Sequence, residues 1–285
     1  MRSHVPKKYH LSECKARQWI KRWGNLRCTQ INQDMIERFI IERRNVSSQT
    51  ANKEIRYLRA LFNFGKRKQL ISGNPSDGID FFPVSKRLKH IPLPDEIERV
   101  IAAADPDTQD YLYAIRETMA RMSEINRLTW ADVLFNERCV VLYTRKKKGG
   151  HLTPRKIPMT ERLYQIFKRR YTNKDEALPW VFWHTYWSSK SGKMTRGPFQ
   201  DRKRIMKSLC KKAGVKYFRF HALRHSGASI LDSKNVPIGS IQRILGHENR
   251  TTTEIYLHSI AESEREAMAI FEQANKKSHT DSHTA

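Results

Sequence analysis

The stretch FHALRHSGASILDSKNVPIGSIQRILGHENRTTTEIYLH, residues Phe220 to His258, decides how the chain is read. His221 and Arg224 lie three apart in a segment of helical pattern, so their Cβ atoms leave one face about 5–6 Å apart and both side chains can meet one phosphate. In Leu245-Gly246-His247 the glycine stands where a helix-terminating residue belongs, at the end of a short amphipathic run. Tyr256 follows nine residues after His247. Thr251, Thr252 and Thr253 offer N-caps for the helix that would carry this tyrosine and hold its phenol hydroxyl steady.

Charge indicates what meets this stretch. The 285 residues hold 54 Lys plus Arg against 29 Asp plus Glu, a net +25. Such a field speeds encounter with a polyanion and supplies phosphate contacts whose affinity falls with salt, which favours nucleic acid over a merely soluble basic protein. No apolar stretch approaches the roughly 18 residues that span a bilayer. Met1 to His10 is basic without an apolar h-region, which predicts a cytoplasmic, nucleoid-associated protein with no membrane partner. Cys14, Cys28, Cys139 and Cys210 are far apart, form no Cys-x-x-Cys pair and read as reduced thiols. The eleven histidines form no His-Glu-x-x-His motif, so metal-dependent nuclease chemistry loses ground and no cofactor or metal is expected.

The length suits one large or two modest domains. Three helical runs come first: Leu11 to Trp23, Asn32 to Arg44 with Asn32 as cap, and about Gln49 to Gln69. In the third, Ile55, Leu58, Leu61 and Phe62 line one side, while Lys53, Arg56, Arg59, Lys66, Arg67 and Lys68 populate the rest. One face packs; the other is a solvated face or, by its collective sign, a DNA-facing one. Ser72-Gly73-Asn74-Pro75 stops this helix by turn chemistry, and Phe82-Pro83 with Lys86 to His90 reads as a basic linker.

Beyond the linker, Pro94 to Ala103 and Thr108 to Met119 read as amphipathic helices leading into Arg121. Glu124, three residues on, either orients Arg121 by a charge-assisted hydrogen bond or pairs with it at the surface. Leu128 and Trp130 read as core. Cys139 to Thr144 and Pro154 to Met159 read as a hairpin around the basic, Gly-containing turn Arg145 to His151. Thr160 to Tyr171 and about Pro198 to Lys212 read as helices, joined by an aromatic-rich connection, Leu178 to Lys193, whose rings close a core. His225 and His258 read as structural. Ala261 to Ala274 reads as a helix, and the polar tail after Lys276 as disordered.

His221-x-x-Arg224, Leu245-Gly246-His247, the threonine run and Tyr256-x-His258, preceded by Arg121-x-x-Glu124-x-x-x-Leu128-x-Trp130-x-Asp132, resemble the signature of the tyrosine recombinase (phage integrase) family. One departure stands out: Met119 occupies the place of the glycine two residues before the family's first arginine. The resemblance implies a mainly α fold with a small β-hairpin or sheet. It divides into a helical core-binding domain over 1–88 and a mixed α/β catalytic domain over 89–285, with no additional arm-binding domain. The final helix then packs in its own domain or on a neighbouring protomer.

It also implies the chemistry. Tyr256 attacks the scissile phosphate to form a 3′-phosphotyrosyl link, Arg121 and Arg224 grip the non-bridging oxygens, His221 acts as base or relay, and His247 hydrogen-bonds the phosphate. A hairpin lysine protonates the departing 5′ oxygen. Lys146, directly after the strand, is the first choice and Lys148 the second, with plain phosphate contacts by Lys146, Lys147 and Lys148 as the rival. A phenol with a pKa near 10 needs such a positive field, and guanidiniums that stabilise equatorial charge leave no step requiring a metal. The implied partners are double-stranded DNA, three further protomers in a homo-tetramer and an accessory directionality factor. Two alternatives keep the same residues: a type IB topoisomerase-like relaxing enzyme and a catalytically inactive DNA-binding protein.

Overall fold

The computed structural model describes residues 7–85, 90–145, 151–189, 191–247, 249 and 253, and the chain divides into two compact units, Met1–Leu88 and Lys89–Ala285. Lys146, Lys147, Lys148, Tyr256, His258 and the helix read over 261–274 lie outside the described residues. Among the described residues no helix is long and apolar enough to cross a membrane.

The first unit holds α1 (Lys7–Trp23), α2 (Gln33–Arg44) and α3 (Ser48–Arg67). Each of the last two starts where a short polar side chain satisfies an orphan amide: Asn32 Oδ1 accepts from Met35 N at 3.0 Å, and Ser47 Oγ from Thr50 N at 3.0 Å. Trp23, Phe39, Ile40, Ile55, Leu58 and Phe62 pack the core between them. Each such side chain contributes about 1.5–3 kcal/mol by leaving water. Leu61, read as part of this stripe, is exposed instead. The helix ends at Arg67, before the Ser72–Pro75 turn, because Gln69 takes a left-handed φ of 56°. Asn74 then builds the turn, its Oδ1 accepting from Ser76 N at 2.9 Å. Lys53, Arg56, Lys66, Arg67 and Lys68 are exposed. Arg59 is not part of that face, since its guanidinium donates to the carbonyls of Ser76, Asp77 and Ile79 and pins this turn to α3.

The second unit opens with α4 (Pro94–Ala102), α5 (Pro106–Thr118) and the short α6 (Met122–Ile125), then forms an antiparallel sheet of β1 (Val133–Leu134), β2 (Cys139–Arg145) and β3 (Leu152–Pro158) in that spatial order. In the β2–β3 register Val140 faces Ile157 and Thr144 faces Thr153. After α7 (Glu161–Thr172), β4 (Trp183–Ser188) and β5 (Lys193–Pro198) form a second hairpin, followed by α8 (Lys203–Lys212), α9 (Phe220–Ser233) and α10 (Ile238–Leu245). The architecture is mainly helical with small sheets, as the sequence reading had it.

Three local readings are corrected. The aromatic connection contains a strand, because β4, rich in the strand-favouring Trp183, Thr185, Tyr186 and Trp187, pairs antiparallel with β5. Of its rings Phe182 is buried in the core, whereas Trp187 lies 62% exposed opposite Met194. The following helix begins at Lys203, since Pro198 belongs to β5. The helix α5 begins at Pro106, with Asp105 as its cap, rather than at Thr108.

Candidate active site

Arg224 anchors the site. Phe220, Leu223 and Arg224 share the buried side of α9, and the Arg224 side chain ends in the interior at 1% exposure. Its Nη1 donates to the Met119 carbonyl at 2.7 Å, and its Nη2 donates to the Leu245 carbonyl and to His247 Nε2 at 2.8 Å. A guanidinium has donors only, so Nε2 must accept and the ring proton sits on Nδ1. That nitrogen lies 3.0 Å from Thr253 Oγ1, which receives the proton's hydrogen bond. Burial first, then the charges of Arg224, Arg121, Arg155 and His225, push the His247 pKa down to about 4, so the ring is neutral at physiological pH.

Two left-handed residues aim these carbonyls. Gly246, at φ 64° and ψ 43°, ends α10, and the amides of Gly246 and His247 return to Arg243 O and Gln242 O at 3.1 and 3.2 Å. Met119 takes φ 50° and ψ 30° at the end of α5, so the turn expected of a glycine forms without one. The space comes from across the interface, because a Cβ at Gly227 on α9 would stand 2.8 Å from Met119 Cγ.

Arg121 is held differently. It caps α6, its backbone N donating to Glu124 Oε2 at 2.9 Å and its Nη1 to Glu124 Oε1 at 3.0 Å. The Glu124 side chain is 2% exposed, so the interaction is an orienting bond and not a surface pair. Glu124 also receives Arg155 Nη2 at 2.8 Å and Nη1 at 3.2 Å, and the Thr144 hydroxyl at 2.8 Å. Burial alone would raise its pKa; the Arg155 hydrogen bonds and charge, with those of Arg121, hold it at about 2. The Arg121 side chain stays 31% exposed, open to a ligand.

Arg121, Arg224 and His247 thus come together, as direct contact joins two of them and the charge of the third acts on the imidazole. His221 lies one turn before Arg224 on α9 and is exposed, while Arg224 turns inward. His225 is buried beside the site. In this arrangement both ring nitrogens of His247 are engaged within the protein. Sequence reasoning missed Arg155 and Thr144. Alternation along β3 was the available signal, since Arg155 shares its inward face with Thr153 and Ile157.

The model of the phage integrase family matches residues 93–263. A tyrosine recombinase of Pseudothermotoga lettingae is 24% identical over 239 residues, covering 83% of this chain and 79% of that protein. Tyrosine recombinase XerC of Bacillus pumilus is 26% identical over 255 residues, covering 82% and 79%. Among solved structures, the Tn1549 transposon integrase in complex with circular intermediate DNA superposes with a TM-score of 0.71 at 22% identity, covering 94% of this chain and 95% of that one. The lambda integrase dimer bound to a COC′ core site gives 0.70 at 14% identity, covering 92% and 74%. With the arginine box, the His-x-x-Arg helix and the Leu-Gly-His turn inside the matched span, the chain belongs to the phage integrase family of tyrosine recombinases.

Proposed function

We propose that the chain is a site-specific recombinase that cuts and rejoins DNA strands through a 3′-phosphotyrosyl link at Tyr256. The observation that carries this reading is the gathering of Arg121, Arg224 and His247 around one point, with Thr253 already seated on His247. Tyr256 follows Thr253 by three residues in the chain. Arg121 offers its accessible fork to a non-bridging oxygen, and Arg224, buried and held by two carbonyls, supplies a second positive charge at little reorganisation cost. His247 accepts a hydrogen bond from the Arg224 fork, and His221, exposed at the start of α9, acts as base or relay. A hairpin lysine, Lys146 before Lys148, protonates the leaving 5′ oxygen. The link keeps the phosphodiester's energy, so rejoining to another 5′ hydroxyl gives strand exchange.

Double-stranded DNA is the substrate, engaged by the first unit as a core-binding domain through the exposed cations of α3 and by the second as the catalytic domain. Four protomers act together on the DNA, a reading supported by the likeness to a lambda integrase tetramer bound to a Holliday junction, with a TM-score of 0.69 at 15% identity. An accessory protein sets direction, and the enzyme works at the nucleoid. The test uses a nicked suicide duplex carrying the target site, found by mapping covalently tagged DNA ends. Wild type should form a protein-DNA adduct and Tyr256→Phe none, with binding intact. Adducts persisting in Tyr256→Phe would remove that residue from the role, and relaxation of supercoils without recombinant products would favour a topoisomerase.

A further inference from the structure

One side chain outside these assignments touches three of the segments that build the site. Arg155, midway along β3, donates through Nη1 and Nη2 to Glu124 on α6 and through Nη1 to Thr144 Oγ1 on β2. Its Nε donates to the Ile244 carbonyl at 2.9 Å, at the end of α10. The guanidinium lies so close to Gly246 that a Cβ there would stand 3.1 Å from Arg155 Cδ, so the glycine serves this approach as well as its left-handed turn.

The last carbonyls of a helix lack intrahelical partners and carry its negative end, so a cation is at home there. At α10 two adjacent carbonyls are taken by two guanidiniums, Ile244 O by Arg155 and Leu245 O by Arg224. The turn from Ile244 to His247 therefore sits between them. The Arg155 guanidinium that grips this turn also holds the carboxylate orienting Arg121.

We propose that Arg155 is a positioning residue for the reaction, giving both phosphate-binding arginines one shared reference. Through Glu124 it sets the fork of Arg121, and through Ile244 it sets the turn that holds Arg224 and His247. Its side chain is 10% exposed and its bonds to Glu124, Thr144 and Ile244 point into the protein, so it acts through these groups rather than on substrate. A lysine cannot substitute, because one ammonium on a flexible stem does not span a carboxylate, a hydroxyl and a carbonyl at fixed angles.

The inference rests on the reading of Arg121 and Arg224 as phosphate ligands. Its test uses the full chain with Arg155→Lys and Arg155→Gln, measuring melting temperature, DNA affinity and single-turnover adduct formation. Two suicide duplexes are compared, one native and one with a methylphosphonate at the scissile position, which lacks the charge that a misplaced Arg121 fails to balance. Affinity should change by less than about threefold and adduct formation on the native duplex should fall about a hundredfold. The deficit should shrink about tenfold on the methylphosphonate, as should that of Arg121→Ala, because the charge is then absent. An equal deficit on both duplexes, wild-type rates in Arg155→Lys, or loss of the folded state in both variants would each overturn the proposal. A wild type that forms no adduct overturns the recombinase reading and this inference with it; an active wild type beside unaffected variants overturns this inference alone.

Discussion

Glu54 in the first unit and Glu124 in the second have side chains only 1% and 2% exposed, and these two carboxylates are served in contrasting ways. Glu54, on α3, is met by Lys15 from α1 and, at 3.7 Å, by Arg43 from α2. Both are long side chains that still reach solvent, and among the described residues Glu54 Oε2 accepts no hydrogen bond. Glu124 receives a backbone amide, a hydroxyl on β2 and two guanidinium forks. The first carboxylate tethers helices. The second converts rigid backbone into a fixed direction for Arg121, and the difference lies in what surrounds the carboxylate rather than in its burial.

The largest effect that sharpens this contrast is expected at Glu124. Glu124→Gln leaves two guanidiniums facing a neutral amide, and denaturant unfolding should show a loss of about 3–5 kcal/mol together with slower adduct formation. Glu54→Gln should cost about 1–3 kcal/mol in the same assay, since Lys15 can turn to water, and adduct formation on bound DNA should not change. A Glu54→Gln variant that binds DNA but no longer cleaves would break the comparison.

Acid reaches His247 and Glu124, both in the second unit, through successive windows. His247 titrates at 6.5 when unfolded and about 4 when folded, so as pH falls through that interval the unfolded chain takes up the proton first. Stability on the order of 3 kcal/mol is lost across it. Glu124 behaves as a depressed carboxylate, its contribution present above 4.5 and lost as pH falls toward about 2. Thermal unfolding of His247→Asn from pH 7 to pH 4 should show a flatter decline than wild type, and an unchanged slope would remove His247 as its source.

The smallest effect concerns the turn that aims Met119. Gly227→Ala drives a Cβ against Met119 Cγ and should cost about 1–3 kcal/mol. Adding Met119→Gly should recover most of that loss, because the clash and the left-handed strain go together. Additive losses in the double variant would mean that the two positions are not coupled.

The sequence made these helices legible where caps and apolar periods coincide, as at the polar N-caps Asn32 and Thr160 and the glycine C-cap Gly246. It was legible at the site where the groups fall in one short segment, as with Arg224 and His247. It failed where a contact joins distant positions of unremarkable chemistry. Alternation along β3 turns Arg155 inward but does not name its partners, Glu124 at 31 residues' separation and Ile244 at 89. Met119 was misleading for the same reason, since the glycine that accommodates it lies on another helix. Trp187 was assigned inward on composition, whereas strand alternation places it outward.

Single-turnover adduct formation by Arg121→Ala and Arg224→Ala at saturating DNA, beside their affinities for the same duplex, tests the convergence of the two guanidiniums most directly. Convergence on one phosphorus predicts that each rate falls by about 10²–10³-fold or more while affinity changes by less than about tenfold. Rate and affinity falling by equal factors would make the two arginines ordinary phosphate anchors and contradict it.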